Sequence, residues 1–301
     1  VFAKRLIGDI LTFPSLNRGT IALVDIDQEK LEVMAGVAQR MAEQTKTGTR
    51  IEASTDRRQV LPGADYVIIS IRVGGTEAVV KSHEIPLKYG VDHSVADTMG
   101  PGGVFYFLLN GPAILDILRD VERLCPQAWV IQYTNPMAMN CWLANEATKV
   151  RNVGLCHSVQ GTAFQLATYI GAPREEIAYW VAGINHMAWF LRFLWRGQDA
   201  YPLLWKAMED PEIYARDAVR FEVMRHFGYF VTESTRHMSE YVPYFRRTPE
   251  LVARFAPPSS RDLHNWDEWA IRRQERFQEM KALVESGQEI PFERTHEYCT
   301  Y

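Results

Sequence analysis

The sequence predicts an α/β fold, with a parallel, helix-covered sheet over residues 1–150 and a mixed α+β domain over residues 151–301. Two observations point to it. Strand-like apolar runs alternate with helix-spaced stretches through the first half, the rhythm that builds a parallel sheet from crossover units. Past residue 150 this rhythm changes, and the remaining length, out of 301 residues, is enough for a second domain.

The elements follow in order. The chain opens at Val1-Phe2-Ala3-Lys4 already in a helical pattern. Thr20 to Asp25 is an apolar strand ending in an acid, and Gln28 to Thr45 follows as a helix with Leu31, Met34, Val37, Ala38 and Met41 on one stripe. A carboxylate at that strand end is where a dinucleotide fold meets the adenosine ribose hydroxyls. Asp25 is therefore either the ribose acid, a solvated strand-end residue or a helix N-cap. Further strands are expected at Arg50 to Ala53, Asp65 to Ile71 and Trp129 to Tyr133. A crossover helix is expected at Gly111 to Leu124, through Ile114, Ile117, Leu118 and Val121. A Rossmann-type sheet of this kind needs one more strand and a glycine-rich phosphate-binding turn ahead of its first helix, so both are expected just upstream of Val1.

In the second half, Asn152 to Leu155 reads as a strand and Gln160 to Ile170 as a helix. Ile177 to Ile184 and Trp189 to Trp195 read as strands, Ala215 to His226 and Asp267 to Glu285 as helices, and Pro257-Pro258-Ser259-Ser260 as a loop. The aromatic residues Trp189, Phe190, Phe193 and Trp195 are assigned to the core. The pairs Arg246-Arg247 and Arg272-Arg273 are assigned to the solvated surface.

Composition narrows the partners. A net charge of -4 arises from interspersed signs, with no basic run to neutralise a row of phosphates, so nucleic acid is not expected. No unbroken apolar stretch of about 20 residues is visible, so no membrane segment is expected. Cys125, Cys141, Cys156 and Cys299 are far apart, with no CxxC pair. That spacing predicts free thiols in a reducing, cytoplasmic setting.

Polar motifs follow several strands: Ile71-Arg72-Val73-Gly74-Gly75, Thr134-Asn135-Pro136, Cys156-His157-Ser158 and Gly183-Ile184-Asn185-His186. Open α/β folds place ligands at strand C-terminal ends. Cys156 and His186 are of the types that bind a transition metal, although a lone buried Cys is more often a small hydrophobe. His157 reads as a general acid or as a hydrogen-bonded core histidine. The glycines of 71–75 suit either an ordinary turn or a close backbone approach to a ligand.

The segments Asn135-Pro136-Met137-Ala138-Met139-Asn140, Gly154 to Thr162 and Ala182-Gly183-Ile184-Asn185-His186-Met187 resemble glycoside hydrolase family 4, on its α-galactosidase (melibiase) side. Ala96 to Gly103 and Gly228 to Ser234 fit the same branch. The resemblance implies a lactate/malate dehydrogenase-like fold, NAD and Mn2+ or another divalent metal as cofactors, and an α-glycoside substrate. It also implies a homo-oligomer, dimer or tetramer. Family 4 is an exception among glycosidases, because it is NAD-dependent and does not rely on two carboxylates. The cycle implied is oxidation at sugar C3, deprotonation at C2, elimination of the aglycone, water addition and re-reduction, with the metal polarising the C3 carbonyl.

Carried over by position, the resemblance makes Cys156 and His186 the metal ligands and Asn135 a contact to the sugar and the cofactor. Asp97 becomes an acid lining the pocket, His237 a substrate contact, and Arg72, Gly74 and Gly75 part of the cofactor loop. His157 stands where a related branch carries an acid, and the base at C2 is Tyr241 or Glu233. The alternatives are an α-glucuronidase or α-galacturonidase of the same family and an NAD-dependent 2-hydroxy-acid dehydrogenase, which would accumulate NADH.

Overall fold

The computed structural model describes residues 2–255 and 266–292. The loop expected at Pro257 to Ser260 and Cys299 lie outside them. Two compact units divide the chain without following its order. One comprises Val1–Val67, Ile117–Trp129 and Asn265–Tyr301, and the other Ile68–Asp116 and Val130–His264.

In the first unit, helix α1 (Phe2–Thr12) precedes β1 (Thr20–Val24), α2 (Gln28–Thr45) and β2 (Arg50–Ser54). The two strands pair in parallel from Thr20–Arg50 to Val24–Ser54, so a crossover through α2 joins them, as the alternation predicts. The α2 stripe does what its spacing requires: Leu31, Val37, Ala38 and Met41 are buried. Asp27 starts the helix by accepting the Lys30 N–H, and Lys46 ends it in the left-handed conformation.

Five more elements continue the βα rhythm: β3 (Tyr66–Ile69), α3 (Gly75–Leu87), α4 (Gly100–Leu124), β4 (Trp129–Gln132) and α5 (Met137–Ala147). They are followed by β5 (Arg151–Gly154) and α6 (Ser158–Tyr169). Strands β3, β4 and β5 form one sheet in that order. The Trp129 N–H bonds to the Asp65 carbonyl and the Tyr133 N–H to that of Ile69. Both strands therefore advance together, and the pair is parallel.

Two expectations change here. Helix α3 was not foreseen beyond the 71–75 turn, because Pro86 in its last turn masks the pattern. Helix α4 starts at Gly100 and not at Gly111, since the Gly111-Pro112 pair that reads as a helix start lies inside it. By length and composition α4 is also apolar enough to cross a membrane, contrary to the expectation that no segment is. Its Ile114, Leu118 and Val121 are buried in protein, and its buried Asn110 accepts the Val73 N–H, which is core-helix behaviour.

In the second unit, β6 (Ile177–Ile184), β7 (Met187–Trp195) and β8 (Gln198–Asp199) form an antiparallel sheet. Helices α7 (Tyr201–Ala207), α8 (Pro211–Arg216), α9 (Ala218–Phe227), α10 (Thr235–Tyr241) and α11 (Pro249–Phe255) follow. Phe190 and Phe193 are fully buried with Phe221 and Phe230, so the aromatic run is core, as expected. The single helix expected from Ala215 to His226 is broken at Asp217, whose backbone leaves the helical region (φ -141°). Arg246 is not solvated surface: it pairs with Asp92 at 2.5 Å with its side chain 11% exposed. The last helix, α12 (Trp266–Ser286), belongs to the first unit, where its Met280, Leu283 and Val284 pack onto the α2 cluster.

Candidate metal centre

Four segments of the second unit deliver the centre. Cys156 follows β5 and precedes α6, the strand-end position of a parallel sheet. His186 is the second residue of the tight turn joining β6 to β7, where Gly183 pairs with Ala188 and Ile184 with Met187. A turn this short needs a left-handed residue, and His186 adopts φ 63°. The 230–232 segment then lies against β7: the Phe190 N–H bonds to the Phe230 carbonyl and the Thr232 N–H to that of Ala188. This brings Glu233, itself at φ 75°, beside the turn. Asp97 and Thr98 come from the loop before α4, where Ala96 is held at φ 56°.

Ligand atoms of Cys156, His186 and Glu233 all lie within 4.8 Å of one another, and those of Asp97, His186 and His237 meet the same limit. Cys156 Sγ is 3.9 Å from Glu233 Oε1. The two Glu233 oxygens face His186 Nε2 and His237 Nδ1, each at 3.3 Å. The other side of the imidazole is fixed. Thr98 Oγ1 donates its one proton to Asp97 Oδ1 at 2.7 Å, so at 2.8 Å it accepts from His186 Nδ1. That leaves Nε2 aimed at Cys156 and Glu233, the orientation a supporting shell gives a metal-binding histidine. Asp97 Oδ2 accepts from Asn135 Nδ2 at 3.0 Å, and Tyr241 Oη lies 3.3 Å from His186 Nδ1.

The electrostatics ask for a cation. Burial alone would raise the Cys156 thiol, but the hydrogen bond and charge of His186, with Ser158, pull it below its ordinary value. Burial works against the His186 imidazolium, yet Cys156, Glu233 and Asp97 together push its pKa up to about 9. Burial, with Asp97, Glu240 and Glu233 adding to it against a side-chain contact with Thr98, raises the Tyr241 phenol. Thiol, imidazole and carboxylate thus stabilise positive charge at one point, and they form a donor set suited to a divalent transition metal. Asn185 Oδ1, buried beside His186 in the chain, has no hydrogen-bond partner among the described residues. The residues present fit a bound metal.

Asp97, Asn135, Cys156, His186, Glu233, His237 and Tyr241 thus form one connected cluster. His157 sits exposed at the N-cap of α6. Arg72, Gly74 and Gly75 are exposed and follow β3. Both glycines have positive φ, 79° and 58°, and α3 begins there without a side-chain cap. The Ile71 and Val73 N–H groups are held by Thr134 Oγ1 and Asn110 Oδ1 at 2.9 and 2.8 Å. Asp25, in the first unit, is exposed at the end of β1 and accepts the Asp27 N–H at 2.9 Å. Thr98 was missed by sequence reasoning although it lies next to Asp97. So were Arg220 and Asp217, which sat inside a stretch read as plain helix.

Fold and side chains together describe an α/β core in which a thiol, an imidazole and a carboxylate converge beside an Asn–Asp pair. Residues 1–172 match the family 4 glycosyl hydrolase model and residues 181–301 the model of the family 4 glycosyl hydrolase C-terminal domain; the chain belongs to this family. It is similar to the alpha-galactosidase of Bacillus subtilis (strain 168), 37% identical over 99% of this chain and 69% of that protein. The alpha-galactosidase of Rhizobium meliloti (strain 1021) is 40% identical over 88% of this chain and 54% of its own length. An alpha-galacturonidase of Thermoanaerobacter italicus is 30% identical over 96% of this chain and 66% of that protein. The chain therefore spans between about half and about two thirds of these relatives.

Among solved structures, the glucosidase-like protein lplD of Bacillus subtilis superposes with a TM-score of 0.83 at 26% identity, over 98% of this chain and 71% of that one. A 6-phospho-beta glucosidase of Thermotoga maritima, solved with manganese, NAD+ and glucose-6-phosphate, gives 0.74 at 20% identity, over 99% and 68%. The latter likeness is one of fold alone.

Proposed function

We propose that the chain supplies the catalytic core for hydrolysis of α-galactosides, with NAD as a recycled hydride carrier and Mn2+ or a similar metal held by Cys156 and His186. Glu233 would complete the set. The observation that carries this reading is the convergence of thiol, imidazole and carboxylate within 4.8 Å, beside the Asn135–Asp97 pair. The higher identity to the two alpha-galactosidases, 37% and 40% against 30% for the alpha-galacturonidase, supports the choice of sugar.

When bound, the metal would act as a Lewis acid on the sugar C2 and C3 oxygens, and NAD would take and return the C3 hydride. The chain's own residues do the rest. Asn135 and Asp97, fixed to one another, orient the sugar hydroxyls, with His237 beside them. Both Glu233 oxygens face histidine nitrogens, so Tyr241 is the group that receives the C2 proton. Its buried phenol resists ionisation, and positive charge gathered at the donor set lowers that cost. His157, exposed and next to Cys156, is assigned to protonating the aglycone oxygen. Asp25 holds the adenosine ribose, and the 71–75 loop, with Arg72, Gly74, Gly75 and Asn135, contacts the cofactor. The substrate is a small α-glycoside, met in the cytoplasm by a homo-oligomer. Free Cys125, Cys141 and Cys156 support a reducing compartment.

The test is hydrolysis of nitrophenyl α-galactoside by the full chain, with and without NAD, Mn2+ and reductant. The expected result is activity that needs all three, no accumulation of NADH, and loss of both turnover and Mn2+ binding in Cys156→Ser. Turnover indifferent to NAD and metal removal overturns the mechanism. Turnover restricted to α-galacturonides moves the substrate to the acidic sugars, and net NADH production makes the chain a dehydrogenase.

A further inference from the structure

Glu233 is gripped from behind by groups that take no part in the centre itself. Its carbonyl oxygen accepts from Arg220 Nη1 and from Thr162 Oγ1 at 3.4 Å. Arg220, on α9, is 1% exposed and heads the fully buried side chains by volume. Every guanidinium proton is spent. Nε bonds to Asp217 Oδ1 at 2.7 Å. Nη2 bonds to Asp217 Oδ2 at 2.6 Å and to Gln165 Oε1. Nη1 bonds to Thr162 Oγ1 at 3.2 Å and to the Glu233 carbonyl.

Asp217 extends the grip beyond Ser234. The Thr235 hydroxyl donates to its Oδ1 at 3.0 Å, and the Tyr169 hydroxyl to its Oδ2 at 2.6 Å, an arrangement in which burial foremost, then Asp217, raises the Tyr169 phenol. One buried ion pair thus fastens the backbone of Glu233 and the side chain of Thr235. Between those two anchors the chain makes the left-handed step at Glu233, φ 75°, and starts α10 with Ser234 accepting the His237 N–H.

A buried pair that only knits helices together has no need to hold a non-glycine residue in a sparsely populated conformation. Here that conformation turns the carboxylate toward His186 Nε2 and His237 Nδ1. We infer that the Arg220–Asp217 pair is a positioning device for the metal centre, holding Glu233 in the left-handed geometry that presents its carboxylate beside Cys156 and His186. The inference rests on the metal reading of those three residues. It requires arginine in particular: the planar fork reaches Asp217 and the Glu233 carbonyl at once, whereas lysine has one nitrogen and three donors.

The test is a double-mutant cycle read by Mn2+ binding to the full chain, with free Mn2+ followed by electron paramagnetic resonance. Arg220→Lys is expected to raise the Mn2+ Kd about tenfold or more, the size of effect seen when a supporting shell is lost. In a Glu233→Gln background the same substitution is expected to change Kd less than about twofold, because its action runs through that carboxylate. NAD affinity, read by fluorescence, is expected to stay unchanged.

Wild-type Mn2+ affinity in Arg220→Lys, or effects that multiply in the double variant, overturn the positioning role alone. A wild-type chain that binds no Mn2+ overturns the metal reading and this inference with it. Should Arg220→Lys fail to fold, Thr162→Val is substituted, removing one donor from the Glu233 carbonyl while the ion pair stays. It is expected to cost about threefold in Mn2+ affinity in the wild-type background and nothing in Glu233→Gln. Equal effects in both backgrounds sink the proposal.

Discussion

The end of β1 and the centre around His186 both gather charge at the end of a strand, by opposite means. At β1, Asp25 bonds to the N–H of Asp27, and Asp27 to the N–H and ammonium of Lys30. Every partner is two or three positions away, and the carboxylates face solvent. Around His186, Asn135 meets Asp97 across 38 positions, Glu233 meets Cys156 across 77, and Thr98 meets His186 across 88. Ala96, His186 and Glu233 are three of only five non-glycine residues with positive φ among the described residues. Exposed carboxylates can wait for a ligand on local chemistry alone. Bringing a thiol, an imidazole and a carboxylate to one buried point instead takes strained backbone, which the surrounding core must offset.

If strain concentrates at the centre, glycines there should tolerate least. Gly183, at φ 144°, leads into the His186 turn, and a Cβ on it would lie 2.6 Å from both Ala188 Cα and the Met187 carbonyl oxygen. Backbone atoms cannot rotate away. Gly183→Ala is expected to destabilise the second unit by about 2–4 kcal/mol and to weaken Mn2+ binding, measured by urea unfolding and metal titration. Gly63, at φ 81° with nothing within 4 Å, serves as the control in the first unit. Gly63→Ala should cost only the conformational penalty of about 1 kcal/mol. Equal losses at the two glycines would show that strain is not concentrated at the centre.

The same contrast decides what a reader of the sequence can see. The α2 stripe, the β6 and β7 strands and the buried aromatics obey periodicities of 3.6 and 2, and such local rules survive folding. Cys156, His186 and Asn135 were visible as polar groups after apolar runs, and the family resemblance gave them roles. The Thr98 hydroxyl and the Arg220–Asp217 pair were not visible. A Thr beside an Asp, or an Arg three residues after an Asp, looks like any surface pair, and its meaning lies in partners up to 88 positions away. Asp217 also breaks a helix that spacing alone runs straight through. Nothing in local propensity anticipates a carboxylate claimed by two hydroxyls and a buried guanidinium.

Proton competition sharpens the contrast further, because only the buried centre should bind its ligand in a pH-dependent way near neutrality. The folded chain without metal holds the His186 pKa up at about 9, above the ordinary imidazole value of about 6.5. Below that folded value a proton occupies the nitrogen a metal must take, so binding releases it. Apparent Mn2+ affinity is therefore expected to rise with pH, by up to about tenfold per unit between pH 7 and about 9, and to level off above. Isothermal titration across that range measures it. A flat profile would remove His186 from the ligand set.

The smallest expected effect lies at the other pole, where two acids stand two residues apart at the end of β1. Asp27 is committed: it caps α2 through the Lys30 N–H at 3.1 Å and binds the Lys30 ammonium at 2.5 Å. Asp25 gives one oxygen to the Asp27 N–H, and its other oxygen has no protein partner among the described residues. The helix-cap explanation for an acid in this segment therefore belongs to Asp27, and Asp25 is the acid proposed above to hold the ribose diol. Asp25→Asn keeps the bond to the Asp27 N–H but trades a charged acceptor for a neutral one, so NAD affinity should fall by about tenfold or less. Asp27→Ala should weaken the start of α2 while leaving NAD affinity nearly intact, with thermal unfolding and NAD fluorescence titration separating the two outcomes. Neither change should move the Mn2+ Kd. If Asp27→Ala, and not Asp25→Asn, lowered NAD affinity, the assignment of the two acids would have to be exchanged.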